Sequence, residues 1–374
     1  MVMQSVSSRS SIMQKPKADR CTVGRSQYKH IVSSTLTKAL PSLSAYGAVS
    51  LLLSTPVQLE VILTRTYRYS KLPFRMVARH YATDVLYTPM MLAHEFTRSH
   101  IARDSDFTTH PQERLPTPHD NRPHILIAQF ASSDPEEFAR ASALIEPWVD
   151  GVNLNCGCPQ SWAIKEGIGC HLMETPELVA DMVRAVKAVL APKGKSVSVK
   201  IRIAKDLSKT KRWIDLVQDA DVDYITIHGR LKSQRSSTPP DYEAVRILKE
   251  YARVPIIANG DAYTLQGVKE IAAKTGVDGV MAARGMLENP AMFAGFDITP
   301  VECVHMFMGY AIRCPIPFEL VRHHLMDMTV KMDGMGKKQK MALMNCRDLL
   351  ELSDFVEDKW GRGERVGLLG EVDS

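Results

Sequence analysis

The run Gly151-Val152-Asn153-Leu154-Asn155-Cys156-Gly157-Cys158-Pro159 ends a short apolar stretch with amides and thiols held in a Gly-Pro turn. A thiol presented this way can act as a proton donor or a nucleophile, according to its protonation state. A metal site built from Cys156, Cys158 and Cys170 is a rival reading. The spacing C-x-C-x11-C matches no usual zinc or cluster pattern and supplies no fourth ligand, so no metal is expected. Inert buried cysteines are the plainer alternative, weakened here by the polar residues in the same turn.

Lys200-Ile201-Arg202 is the second group that could do chemistry. Strand alternation sends both cations to one face, and a cation entering a confined cavity is costly unless an anion or electron-rich ligand meets it. Arg202 could instead reach the rim, with its charged head in water. Two glycine turns follow, Asn259-Gly260-Asp261 and Ala283-Arg284-Gly285. Such turns can hold a phosphate on backbone amides, and together they suggest a phosphorylated cofactor.

These groups must be positioned by something regular. From residue 60 onward, eight short runs alternate with longer amphipathic stretches: 61–63, 84–87, 125–130, 151–155, 197–203, 224–228, 256–259 and 279–283. Helix starts lie between them. Asp134-Pro135-Glu136-Glu137 offers an N-cap, a proline at the first helical position and acids in the first turn, and Thr175-Pro176-Glu177 repeats the pattern. After it, Leu178, Val179, Met182, Val183, Val186 and Leu190 share one helical face. Near-continuously apolar strands alternating with helices predict a parallel sheet covered on its outer face. An open doubly wound sheet and a closed barrel both satisfy that alternation. The count of eight over about 240 residues, and the polar cluster ending nearly every run, favour a (β/α)8 TIM barrel whose strand ends converge on one mouth.

The chain has 374 residues, 45% of them hydrophobic and 24% charged, with a net charge of +5. That balance permits a nucleic-acid partner without requiring one. No apolar run approaches the ~20 residues that span a bilayer, and the scattered cysteines, with no secretory signal before them, point to a reducing compartment. Residues 1–57 are basic, Ser-rich and acid-poor, and read as a disordered extension; the same composition fits a mitochondrial transit peptide. Residues 58–300 are assigned to the barrel and 301–358 to a small all-helical domain, with Met306, Met308, Leu320, Leu325, Met326, Met328, Leu343, Leu349 and Leu350 as its core. Residues 359–374 form a tail.

Five ordered motifs carry a family resemblance: Asn155-x-Gly157-Cys158-Pro159, Lys200-Ile201-Arg202, Ile227-His228-Gly229-Arg230, Asn259-Gly260-Asp261 and Ala283-Arg284-Gly285. Their combination resembles the tRNA-dihydrouridine synthases. Arg68 to Arg75, Tyr87-Thr88-Pro89-Met90 and Ala102-Arg103-Asp104-Ser105 resemble the eukaryotic class that reduces uridines 20a and 20b of the D-loop. The resemblance implies a TIM barrel that binds FMN, is reduced by NADPH and acts on tRNA as a monomer in the cytoplasm or nucleus. It implies Cys158, not Cys156, as the acid that protonates C5 of the uracil. Lys200 and His228 would line the flavin and target base and Gln129 would contact the isoalloxazine ring, while Asn259, Gly260, Asp261, Ala283 and Arg284 would form the ribityl-phosphate site. Asn155 and Arg202 would seat the substrate, and Lys337, Lys338 and Lys340 would meet tRNA phosphates.

One departure stands out. The family carries Ala-Pro-Met at the end of its first strand, where this chain has Thr64-Arg65-Thr66. Either the chain is a divergent member with weakened flavin binding, or foreign sequence is joined just before Tyr67; the composition of the first 55 residues favours the latter. Two other functions compete: a flavin barrel acting on a small pyrimidine-like molecule, and a flavin-deficient tRNA-binding relic. Retention of Cys158, Lys200 and His228 argues against the relic.

Overall fold

The computed structural model describes residues 69–115 and 124–363. The 61–63 run, the Thr64-Arg65-Thr66 departure and the N-terminal extension lie outside the described residues, as does most of the C-terminal tail.

In chain order, α1 (Leu72–His80) leads into β1 (Val85–Tyr87) and a two-residue β2 (Met91–Leu92). Two short helices follow, α2 (Ala93–Arg98) and α3 (His100–Asp106), and then β3 (Ile125–Ala131) and α4 (Pro135–Ile145). Next come β4 (Gly151–Cys156), a short α5 (Ser161–Lys165), a 3-10 turn over Gly169–Glu174 and the long α6 (Pro176–Leu190). The pattern continues through β5 (Ser196–Arg202), α7 (Leu207–Gln218), β6 (Tyr224–His228), α8 (Tyr242–Tyr251), β7 (Ile256–Asn259) and α9 (Leu265–Thr275). It ends with β8 (Gly279–Met281) and a single helical turn, α10 (Arg284–Glu288).

Every described strand pair is parallel, and the spatial order is β1-β3-β4-β5-β6-β7-β8, with β2 on the end of β3. That order never reverses, whereas a doubly wound open sheet turns back at a switch point. The curvature shows in one contact: the hydroxyls of Tyr87 on β1 and Tyr224 on β6 lie 2.5 Å apart. Three strands separate β1 from β6, so the sheet must curl for the two rings to meet across its concave face. The fold is a TIM barrel, as the alternation predicted, and among the described strands β2 is the one the sequence pattern did not contain.

Local signals behave as the residue types dictate, with one exception. Asp134 caps α4 by accepting from the Glu137 amide at 2.8 Å. Thr175 precedes α6 but makes no capping bond, because its ψ of 61° is not extended and its hydroxyl is buried without a partner. On α6, Val179, Met182, Val183, Val186 and Leu190 are fully buried, packed against the sheet.

Four helices follow the barrel: α11 (Val301–Arg313), α12 (Phe318–Thr329), α13 (Lys337–Asn345) and α14 (Leu349–Trp360). Met306, Met308, Leu320, Leu325, Met328 and Leu343 are buried among them. Leu350 is instead 71% exposed, because it sits in the solvent-facing first turn of α14, where Asp348 caps the amides of Leu350 and Glu351. The helices are fastened to the start of the described chain through His324, whose Nε2 lies 2.8 Å from the Tyr69 carbonyl. The imidazole also stacks on Phe74 at 4.5 Å. Burial pushes its pKa down to about 3, so it bonds as a neutral ring.

Ahead of β1, Arg75 is buried against the carboxylate of Glu113, itself fully buried, and also donates to the carbonyls of Ser70 and Thr108. Removing one partner of a buried pair strands the other charge. Arg75→Met is therefore expected to lower stability by about 3–5 kcal/mol, read as a shift in the urea midpoint; a loss below about 1 kcal/mol, the level of an exposed pair, would contradict this account.

Candidate active site

The inward-facing residues of β3, β4 and β5 are joined by a ladder of amides. Gln129 Nε2 donates to Asn153 Oδ1 at 2.9 Å, and Asn153 Nδ2 donates to Ser198 Oγ at 2.9 Å. One layer nearer the mouth, Asn155 Nδ2 donates to Gln129 Oε1 at 3.1 Å. Asn155 Oδ1 accepts from the amides of Gly157 and Cys158, at 3.0 and 2.9 Å. Asn155 thus fixes the turn that carries Cys158.

Alternation along β4 separates the two thiols. Cys156 is fully buried in the apolar layer outside the barrel, whereas Cys158 lies past the strand end, half-buried, on the wall of a cavity of about 630 Å³. Behind Cys158, Gly169 adopts φ +63°, and a Cβ on it would fall 2.6 Å from the Cys158 carbonyl oxygen. The Cys170 amide donates to that same carbonyl at 2.8 Å. Burial raises the Cys158 pKa, opposed in part by the Gln160 backbone, Arg202 and Lys200, so the group is held as a thiol at neutral pH. Among the described residues no cluster of three His, Cys, Asp or Glu could hold a metal.

The cavity mouth gathers ten of the eleven residues singled out from the sequence. Gln129, Asn155 and Cys158 line one side, Lys200, Arg202 and His228 the middle, and Asn259, Gly260, Ala283 and Arg284 the other side. Asp261 is the exception. One oxygen of its carboxylate accepts from Arg230 Nη2 at 2.5 Å and the other from Arg284.

Arg202 is largely committed to protein. Its Nε donates to the Gly157 carbonyl at 3.0 Å, and its Nη1 to the carbonyls of Leu231 and Gln234 at 2.8 and 3.1 Å. It joins the Cys158 turn to the loop after β6, so positioning is the larger part of what its contacts do. Arg230, 1% exposed, is a second such hub. It holds the Thr238 and Ser236 carbonyls, Asp261, and His228 Nε2 at 3.0 Å. Arg230 closes the Ile227-His228-Gly229-Arg230 motif, which by itself assigns it no role. The loop residues Gln234, Arg235, Ser236 and Ser237, which line the cavity, were missed altogether. The available signal for Arg230 was its place two residues after His228, on the same side of the chain.

Lys200 makes no hydrogen bond among the described residues, although it is only 6% exposed. Burial, then Arg202, push its pKa down to about 7. His228 is likewise pushed well below the ordinary imidazole range, by burial first and then by Lys200, Arg202, Arg230 and Arg284. It is neutral. The floor of the cavity is therefore rich in N–H donors and cations and poor in acceptors. It suits a planar, electron-rich ligand with carbonyl oxygens and an attached anionic group.

Lys200 gives a test in the ligand-free protein. Between about pH 7 and 10.5 the folded chain binds fewer protons there than the unfolded chain, so stability rises with pH across that window and levels off below it. Lys200→Met is expected to flatten that rise in urea unfolding at pH 7 and pH 9; an unchanged pH slope would count against an unpaired buried lysine.

Residues 63–360 match the family described as Dihydrouridine synthase (Dus). A protein of Schizosaccharomyces pombe named tRNA-dihydrouridine(20a/20b) synthase [NAD(P)+] is 44% identical over 278 residues, covering 74% of this chain and 80% of its own length. A Homo sapiens protein, named as the same synthase with the suffix "-like", is 40% identical and covers 81% of this chain and 92% of its own. The Saccharomyces cerevisiae protein with the unsuffixed name is 39% identical, over 80% of this chain and 82% of its own.

Proposed function

The chain belongs to the dihydrouridine synthase family, and we propose that it reduces uridines 20a and 20b of the tRNA D-loop to 5,6-dihydrouridine, with FMN as its bound flavin and NADPH as reductant. The reaction is flavin-dependent reduction of uridine in tRNA. The position follows the names of the relatives above. The observation that carries the reading is the meeting, at one cavity, of a protonated Cys158 with an unpaired Lys200 and a neutral His228.

The residues present fit a flavin. Lys200 Nζ has no hydrogen-bond partner among the described residues, and the donor-rich floor matches a ring system whose edges are carbonyls and ring nitrogens. Lys200, His228 and Gln129 would hold that ring. Asn259, Gly260, Ala283 and Arg284 would hold the phosphate end, with Asp261 keeping Arg284 in place. A flavin bound there supplies hydride transfer between the nicotinamide and C6 of the uracil.

The chain's own residues do the rest. As charge develops on the uracil, C5 needs a proton, and Cys158 Sγ holds one because burial keeps the thiol protonated. Asn155 holds the turn, through the Gly157 and Cys158 amides, so that Sγ stays on the cavity wall. Arg202 ties the same turn to the loop after β6. The target base must leave its stack to enter a cavity of this kind. Lys337 and Lys338 are exposed at the start of α13, where they would meet the tRNA backbone as phosphate contacts, with Lys340 beside them.

Purified full-length protein should show the two visible bands of oxidised flavin, and D-loop mapping of tRNA treated with it should place dihydrouridine at 20a and 20b. Cys158→Ala should keep the flavin bands and tRNA binding while turnover falls by about 10²–10⁴-fold, the usual contribution of a general acid. Turnover near wild type in that variant would remove Cys158 from the mechanism. Modification at other uridines would overturn the position.

A further inference from the structure

We propose that Arg230 is a positioning residue that fixes His228 as its Nδ1–H tautomer, so that the imidazole offers the cavity a hydrogen-bond donor and never an acceptor.

The Arg230 amide donates to the His228 carbonyl at 2.7 Å, and the Asp241 amide to the Gly229 carbonyl at 2.6 Å. A Cβ on Gly229 would lie 2.8 Å from the Asp241 carbonyl oxygen, so the tight approach needs glycine. This turn brings the side chains two residues apart to one side, and Arg230 Nη1 comes to 3.0 Å from His228 Nε2. A guanidinium has donors only. The lone pair in that contact must therefore belong to Nε2, and the proton of the neutral ring must sit on Nδ1.

Arg230 has little freedom to turn away. Its Nε donates to the Thr238 carbonyl at 2.5 Å, and its Nη2 to Asp261 Oδ2 at 2.5 Å and the Ser236 carbonyl at 3.3 Å. The doubly protonated ring is disfavoured as well, since the charged groups acting on His228 are Lys200, Arg202, Arg230 and Arg284, all cations. Nδ1 has no hydrogen bond among the described residues and is not among their sealed, unpartnered atoms, so it opens on the cavity that His228 lines. The ligand group beside it must be an acceptor, a carbonyl oxygen or an electron-rich ring nitrogen, and an amino group there would be rejected. That consequence for the flavin or base rests on the function proposed above; the tautomer itself does not.

The test uses the full chain labelled with 15N-histidine, with His228→Asn serving to assign the resonance. Long-range 1H–15N spectra of the flavin-free protein at neutral pH should show a protonated Nδ1 and a bare Nε2 for His228. Arg230→Lys, which keeps a donor, should preserve that pattern, and Arg230→Met should move it toward Nε2–H. In flavin titrations His228→Asn, whose amide N–H lies near the Nδ1 position, should bind more tightly than His228→Gln, whose amide lies near Nε2, by roughly tenfold or more. An Nε2–H or doubly protonated ring in the wild type overturns the proposal, and so does an Arg230→Met protein with the tautomer unchanged, or His228→Gln binding flavin better than His228→Asn. If Arg230→Met fails to fold, as circular dichroism would show, the wild-type spectrum and the His228 pair still decide. A protein that shows the Nδ1–H tautomer but binds no flavin supports the positioning role and overturns the cofactor reading instead.

Discussion

Buried cations without enough acids set the terms for this barrel. Lys200, Arg202 and Arg230 all lie within 8% of full burial, and among the described residues Asp261 is the one carboxylate bonded to any of them. A charge taken out of water must find other partners. Two of these cations find them in backbone carbonyls: Gly157, Leu231 and Gln234 for Arg202, and Ser236 and Thr238 for Arg230. Each carbonyl is fixed in return. The loop after β6 takes its shape from four of these bonds, and the Cys158 turn is tied to it by the fifth. Lys200 is left over, with no hydrogen bond among the described residues, and burial and then Arg202 push its pKa down to about 7. The architecture therefore reserves one strong electrostatic interaction for whatever enters the cavity.

The same constraint separates the roles of the two strand faces. On β4 and β5 the outward residues Val152, Leu154, Val199 and Ile201 are buried against helices, while the inward Asn153, Asn155, Ser198 and Lys200 form the amide ladder and its cationic end. A purely apolar interior would be easier to stabilise. The polar one is stiff, because each amide both donates and accepts and a single rotation would leave two neighbours unpaired. Stiffness at the strand ends suits a site whose ligand must be met by fixed donors rather than by groups that reorganise on binding.

Most of this was legible in the sequence because it follows from alternation. The strand runs, the inward pairing of Lys200 with Arg202 and the outward turn of Cys156 all depend on a period of two, and the described strands keep it to within about two residues at their ends. The proline-led helix starts at Asp134 and Thr175 were equally readable, although Thr175 shows that a residue type can mark a boundary without making the bond it is known for. Leu350 failed as a core residue because hydrophobicity says nothing about which side of a first helical turn faces the barrel. What stayed hidden depends on contacts between segments far apart in the chain. Nothing near Asp261 indicates that its two oxygens accept from Arg230 and Arg284. Nothing near Arg202 indicates that its guanidinium reaches carbonyls 29 and 32 residues later.

That division has a consequence for how such a site tolerates change. Most of the residues that line the cavity came from strand ends and could be read one at a time, but the groups that set their chemical state form a linked network: Asp261 restrains Arg230 and Arg284, Arg230 restrains His228 and the loop, and Arg202 links that loop to the turn carrying Cys158. A substitution in the network should alter several functional groups together, through tautomer, loop position and local charge, without removing any of them. Effects at Arg202, Arg230 and Asp261 should therefore be strongly non-additive, as expected for side chains that share one network.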